Sequence, residues 1–116
     1  MNVLILQSSP RAKGNTVWMA EAEVLVLASP IYYFTLDVQM QAPIQRMYCV
    51  NKPAKVKKMA LMVSSYSPNV YDGVTAEFRD ICNCWEVEKL GIITAKIDEQ
   101  KTDGTKSKIV ELVGKV

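Results

Sequence analysis

The sequence contains no histidine. This absence excludes Ser-His-Asp and Cys-His catalysis, histidine-based zinc sites and histidine general bases. An enzyme built on this chain would therefore take its chemistry from a cofactor, or from carboxylate, lysine, tyrosine or arginine side chains.

Cysteine is scarce, with three residues, which is an odd number. The N-terminal stretch "MNVLIL" has no basic region and too short an apolar core for a secretion signal, so we expect a cytoplasmic protein with free thiols. Cys82 and Cys84 stand two positions apart on a predicted helix and therefore point to different faces. Two thiols without other suitable ligands do not make a zinc site, and we predict no bound metal.

Long apolar runs and a strong charge of one sign are also missing. No apolar run approaches the roughly 20 residues of a membrane-spanning helix, so we expect no membrane partner. The formal net charge is +2, with both signs scattered along the chain. We interpret the one basic cluster, residues 52–58, as a solvated loop, with an anion or partner patch as the alternative. Nucleic-acid binding would need a broader basic stripe, and we expect none.

The 116 residues, with 49% apolar and 22% charged side chains, predict a single globular domain over residues 1–116. Four segments have the character of buried strands, at residues 3–7, 24–28, 59–64 and 90–97. The first three are near-continuous apolar runs, which are typical of a parallel sheet that helices cover on both faces.

Helical patterns fall between and after these strands. Apolar side chains at helical spacing form three stripes, namely Met40, Ile44, Met47 and Tyr48; Val74, Phe78, Ile81, Cys82 and Trp85; and Ile109, Leu112, Val113 and Val116. Asp37 is the predicted N-cap of the first of these helices. Pro43 then implies that this helix either starts late, near Met40, or is kinked. The alternation of strands and helices predicts a three-layer α/β sandwich, whose ligands bind outside the carboxyl ends of the strands.

The loop after the first strand, "SSPRAKGNT" (residues 8–16), has the features of an anion site. Ser8, Ser9 and Thr16 supply hydroxyls, and Arg11 supplies positive charge. Gly14 and Asn15 tolerate backbone angles that turn amides inward, and Thr16 opens a helix whose N-terminal amides favour an anion. The loop matches neither the Walker nor the GxGxxG pattern. A polar turn with a helix cap is the alternative.

The loops after the second and third strands complete the predicted site. "SPIYYFTLD" places Tyr32, Tyr33 and Phe34 in a row, and so many exposed rings favour stacking of a flat heteroaromatic ligand. Core packing or a subunit interface is the alternative. "SYSPNVYDG" adds hydroxyls and is a weak signal by itself. Together the three loops predict a phosphate site beside an aromatic slot.

"SSPRAKGNT" and "ASPIYYFTLDVQMQAPIQRMY" together resemble the flavodoxin-like NAD(P)H-dependent FMN reductase family, and the resemblance covers nearly the whole chain. In that family the first motif holds the FMN phosphate and the second lies against the flavin. The resemblance implies cofactor-binding roles for three sets of residues. Ser9, Arg11, Gly14, Asn15 and Thr16 would hold the phosphate; Pro30, Ile31, Tyr32, Tyr33 and Phe34 would line the ring; and Ser65 and Tyr66 would touch its other edge. No catalytic side chain is implied, because the flavin carries the chemistry.

The chain departs from this family between its first two motifs. Family members have a helix, an edge strand and another helix there, whereas this chain has only residues 17–23. Without edge strand 2, the flavodoxin-like order 2-1-3-4-5 becomes 1-3-4-5. Three outcomes remain open: the short helix crosses on the other face, the first strand pairs with another subunit, or a segment is missing from the sequence. The uncovered apolar surface favours a homodimer or homotetramer.

The function implied by the resemblance is an FMN-binding oxidoreductase. It would pass hydride from NAD(P)H through the flavin to a quinone, a free flavin or another small electron acceptor. One alternative is a flavodoxin-type electron carrier, although such carriers are typically strongly acidic and this chain is not. The other is a truncated, non-catalytic relative with weak or no FMN binding.

Overall fold

The computed structural model describes residues 3–7, 21–99 and 101–116. Its sheet has four parallel strands in the order β1-β2-β4-β5. A short strand, β3, pairs antiparallel with the end of β2. The strands are β1 (Val3–Gln7), β2 (Val24–Tyr32), β3 (Thr35–Leu36), β4 (Lys58–Ser65) and β5 (Glu88–Lys96). The predicted α/β class and the order of the parallel strands, with β1 at the edge, are confirmed.

β2 extends beyond the end that the sequence predicts for it. Its pairing with β4 continues to Pro30, opposite Ser64, and β3 then becomes the partner of its last two residues. The assignment of residues 29–32 to a loop was therefore wrong. Pro30 is tolerated in the strand because β1 ends opposite Ala28, which leaves β2 with one partner strand at this point in the described part of the sheet.

The helices follow the predicted stripes. They are α1 (Val38–Arg46), continued by a 3-10 helix (Met47–Val50), then α2 (Asp72–Trp85) and α3 (Asp103–Gly114). α1 begins directly after Asp37, whose carboxylate accepts a hydrogen bond from the amide of Met40 at 3.0 Å. The helix runs on through a buried Pro43, so the late start near Met40, one of the two alternatives, was wrong. None of the helices in residues 21–99 and 101–116 is long and apolar enough to cross a bilayer.

The sheet separates two apolar clusters, which produces the predicted three layers. One face of the strands packs against α1 and α2, with Met40, Val74 and Phe78 almost fully buried. The other face packs against α3 through Leu112. Two residues of the predicted stripes are exposed instead, Tyr48 and Val113. Tyr48 lies in the 3-10 helix, whose tighter turn changes the phase of the stripe, and Val113 lies on the flank of α3.

Candidate functional site

The chain forms a tight β-hairpin where β2 leaves the carboxyl edge of the sheet. Ile31 pairs with Leu36 and Tyr32 pairs with Thr35, so only Tyr33 and Phe34 make the turn. Both turn residues have positive φ, 50° and 71°. This is the φ pattern of a type I′ turn, in which Asn-Gly is the preferred pair. Two aromatic residues in that position cost on the order of 1 kcal/mol each, and such strain concentrates at functional sites.

Hydrogen bonds fix the base of this hairpin. The backbone amide of Asp37 donates to the buried Ser29 hydroxyl at 3.1 Å, which joins the incoming strand to the outgoing one. The Thr35 hydroxyl donates to the carbonyl of Tyr32 at 3.2 Å. Because Asp37 also caps α1, the hairpin is held to the first residue of that helix. The turn is therefore presented from a rigid support.

The aromatic side chains of the hairpin face solvent. Tyr33 is 94% exposed, Tyr32 is 63% exposed and Phe34 is 60% exposed. Core packing, one of the alternatives for these rings, is therefore wrong. A surface with this much ring area at one hairpin is suited to covering a ligand or a partner.

The loop after β4 faces the hairpin and is organised by Ser65. This buried hydroxyl donates to the carbonyl of Ser67 at 2.8 Å, and it lies 2.5 Å from the Tyr71 hydroxyl. Since a serine has one hydroxyl proton, Tyr71 is the donor in the second contact. Ser65 can therefore offer a ligand only an acceptor, and its main effect is to shape the loop. Tyr66, the next residue, is exposed.

The hairpin and this loop enclose a cavity of about 340 Å³. It is lined by Ile31, Tyr32, Tyr33, Phe34, Ser65, Tyr66, Ser67 and Val70. Its size lies at the lower end of the range for small-molecule sites. None of these lining side chains is charged, so the described wall suits a flat aromatic ring better than an anion.

The structure brings most of the predicted ring residues together. Ile31, Tyr32, Tyr33, Phe34, Ser65 and Tyr66 share this cavity. Pro30 does not: it lines a separate cavity of about 250 Å³ beside α3, together with Met62 and Ile109. Pro30 belongs to β2, and alternate residues of a strand face opposite sides of the sheet. The predicted phosphate residues Ser9, Arg11, Gly14, Asn15 and Thr16 lie outside the described residues, as does the crossover from β1 to β2 except for residues 21–23.

Three residues near the cavity were missed from the sequence. Ser67 and Val70 line its wall, and Gly73, the second residue of α2, lies behind the turn against the carbonyl of Phe34. The stretch "YDGV" containing Gly73 looks like "TDGT" around Gly104, where no such contact exists. The sequence therefore contained no signal that separates the two glycines.

No protein-family model matches this sequence, and no curated protein matches it either. Solved structures do match. The apo form of an NADH:FMN oxidoreductase superposes with a TM-score of 0.69 at 14% identity, covering 93% of this chain and 59% of that one. An NADPH-quinone reductase from P. pentosaceus gives 0.58 at 12% identity, covering 95% of this chain and 74% of that one. General stress protein 14 from Treponema denticola, in complex with FMN, gives 0.58 at 16% identity, covering 91% and 72%.

The fold is flavodoxin-like. The resemblance to the FMN reductases is thus confirmed at the level of the fold, over almost the whole chain. This chain spans 59% of the length of the NADH:FMN oxidoreductase that it matches. In flavodoxin-like sheets a further strand lies beside the first one, and ligands bind at the carboxyl edge near the switch in strand order. The aromatic cavity lies at that edge.

Proposed function

We propose that this chain is an FMN-binding oxidoreductase that passes hydride from NAD(P)H through the flavin to a quinone, a free flavin or another small acceptor. The observation that carries the proposal is the uncharged aromatic cavity at the carboxyl edge of a flavodoxin-like sheet. FMN, when bound, would supply the hydride and electron transfer, which amino-acid side chains do not carry out by themselves.

The proposed division of roles follows the two kinds of residue around the site. Tyr32, Tyr33 and Phe34 would cover the ring with their exposed faces, and the loop at Ser65 and Tyr66 would border it from the other side. The residues proposed to hold the phosphate are those of the first loop, Ser9, Arg11, Gly14, Asn15 and Thr16. The aromatic wall excludes water from one side of the ring, and the strained turn holds that wall in place before the ligand arrives.

The structural neighbours support this assignment. One is named an NADH:FMN oxidoreductase, another an NADPH-quinone reductase, and a third was solved in complex with FMN. The net charge of +2 speaks against a flavodoxin-type carrier. A second candidate, a non-catalytic relative with weak FMN binding, is favoured by the shorter span of this chain compared with these neighbours.

Titration of the purified protein with FMN, monitored by flavin fluorescence and absorbance, tests whether the chain binds FMN. Saturable binding is expected, and its absence at all concentrations would contradict the proposal. NAD(P)H oxidation in the presence of FMN and a quinone then tests the reaction. If the protein binds FMN but NAD(P)H is not oxidised, the remaining interpretations are the non-catalytic relative and the electron carrier.

A variant tests the phosphate role of the first loop. Arg11→Ala is expected to weaken FMN more than riboflavin, because only FMN has the phosphate. Equal weakening of both ligands would refute that role.

A further inference from the structure

The two edges of the sheet differ in how they are protected against pairing. β5, at one edge, carries Glu88, Lys89 and Lys96. Its register against β4 passes from Lys89 directly to Gly91, so Leu90 is an extra, bulged residue. Charged side chains and a bulge are the devices with which natural sheets prevent another strand from adding to an edge.

β1, at the other edge, has none of these devices. Its sequence "VLILQ" contains no charge and no proline, and all five of its residues pair in continuous register with β2. Within the described part of the sheet, β2 is the only strand paired with it. An edge that is flat, uncharged and apolar in this way can accept a further strand.

The side chains of β1 on one face are also exposed. Ile5 is 63% exposed and Val3 is 47% exposed, whereas Leu6, which points to the opposite face, is buried in the core. Isoleucine and valine rarely remain exposed side by side on an unprotected edge of a monomer, because the same strand then drives association.

We propose that β1 pairs with β1 of a second copy of this chain, antiparallel and around a two-fold axis at Ile5. In this register Ile5 lies opposite Ile5 of the other copy, Leu4 lies opposite Leu6, and Val3 lies opposite Gln7. No like charges meet, and the exposed apolar side chains of both copies form one continuous stripe. A two-fold contact requires a surface that complements itself, and this uncharged strand meets that condition.

The position of β1 in the fold favours a strand as the occupant of this edge. Flavodoxin-like sheets place a further, parallel strand beside the first one, and in the proposed dimer the antiparallel β1 of the second copy would occupy this edge. The joined sheet would contain the parallel strands of both copies. Because the two β1 strands run in opposite directions, the carboxyl edges, and with them the two aromatic cavities, lie at opposite ends of the joined sheet. Each site is therefore complete within one copy.

Sedimentation velocity over a wide dilution series tests the association. A five-residue strand pair is smaller than a standard interface, so a dimer that dissociates on dilution is expected. Ile5→Lys is expected to be monomeric throughout, because it places like charges opposite each other. The matched control is Val113→Lys, since Val113 is 64% exposed on α3, which packs against β5 at the other edge of the sheet. Its dilution curve is expected to equal that of the unaltered chain. A monomeric unaltered chain, or an Ile5→Lys dimer, would overturn the proposal.

Cross-linking tests the register independently of any loss of stability in the lysine variant. Ile5→Cys is introduced together with Cys49→Ser and Cys84→Ser, which remove the exposed thiols. Oxidised glutathione takes up the two electrons and two protons of the introduced thiols and becomes two molecules of reduced glutathione, while the thiols of the two copies form one disulfide. Opposite positions in an antiparallel pair lie within disulfide reach. A covalent dimer is expected, and Val113→Cys in the same background is expected to give none. A dimer that resists cross-linking through position 5 would refute this interface.

Discussion

Gly73 lies close to the carbonyl oxygen of Phe34: a Cβ atom at Gly73 would lie 3.0 Å from that oxygen. The contact joins the start of α2 to the turn that presents the aromatic rings. The opposing atom belongs to the backbone, so a methyl group at this position requires the turn and the start of α2 to separate by a few tenths of an ångström.

Gly73→Ala is therefore expected to displace the Tyr33–Phe34 turn and to weaken FMN binding by up to about tenfold, which corresponds to roughly 1.4 kcal/mol. The gain in helix propensity, about 1 kcal/mol, is expected to be offset by overpacking of about 1–3 kcal/mol. FMN titration and urea denaturation measure the two effects.

Gly104 offers a matched control for this substitution. It is also the second residue of its helix and also follows an aspartate, but a Cβ atom there would meet nothing within 4 Å. Gly104→Ala is expected to raise the free energy of unfolding by about 0.5–1 kcal/mol without affecting FMN. Equal FMN affinity in the two alanine variants would contradict the role of Gly73.

The turn residues themselves allow stability and binding to be separated. Replacing Tyr33 and Phe34 by Asn and Gly installs the pair that a type I′ turn prefers. The free energy of unfolding is expected to rise by about 1–2 kcal/mol, because the strain at two positive φ angles is relieved. FMN affinity is expected to fall, because two rings of the cavity wall are lost. A variant that is less stable than the unaltered chain would show that the rings stabilise the fold itself.

The Cys82 thiol is expected to make the free energy of unfolding fall at alkaline pH. Burial raises the pKa of this thiol from 9.0 to about 11, and Lys89 only partly opposes the rise. The unfolded chain ionises first, so the contribution of Cys82 to stability is complete below pH 9 and is lost as the pH rises towards 11. Urea denaturation between pH 9 and 11 is expected to show a smaller fall in the free energy of unfolding for Cys82→Ala. Parallel pH profiles for the two proteins would contradict this role of the Cys82 thiol.

The carboxyl group of Glu77 is also expected to lower the stability of the fold as the pH rises, but in the acid range. This half-buried carboxyl group lines a groove beside α2, and burial raises its pKa above the ordinary 4.5. Its contribution to stability is therefore present below pH 4.5 and is lost as the pH rises through the raised pKa, so at pH 7 its charge is a cost.

Glu77→Gln is expected to raise the free energy of unfolding at pH 7 and to have less effect at pH 4. Water screens the exposed half of the side chain, so a gain of only a few tenths of a kcal/mol is expected. Chemical denaturation of both proteins at the two pH values measures the difference. A larger gain at pH 4 than at pH 7 would contradict this sign.

Much of the fold could be predicted because it depends on local signals. The apolar runs at β2 and β4 can be buried only between two layers of helices, and the stripe of α2 allows only one inward face. The same expectation was wrong for β1, whose Val3 and Ile5 are exposed on one face of the sheet. Asp37 marks the start of α1 because its carboxylate satisfies an amide that the helix leaves free. The three aromatic residues directly follow the second predicted strand, and this position predicted that they lie at the carboxyl edge of the sheet.

Other features depend on contacts between segments that are distant in the sequence, and only the tertiary structure determines these features. Tyr33 and Phe34 adopt a turn for which their own side chains are unfavourable, because the pairing of β2 with β3 and the bond from Asp37 to Ser29 impose it. Ser65 donates a hydrogen bond to the carbonyl of Ser67 and accepts one from Tyr71, the N-cap residue of α2, and this arrangement depends on where α2 begins. The resemblance implied that β1 lies at the edge of the sheet, whereas only the tertiary structure shows that Val3 and Ile5 remain exposed there.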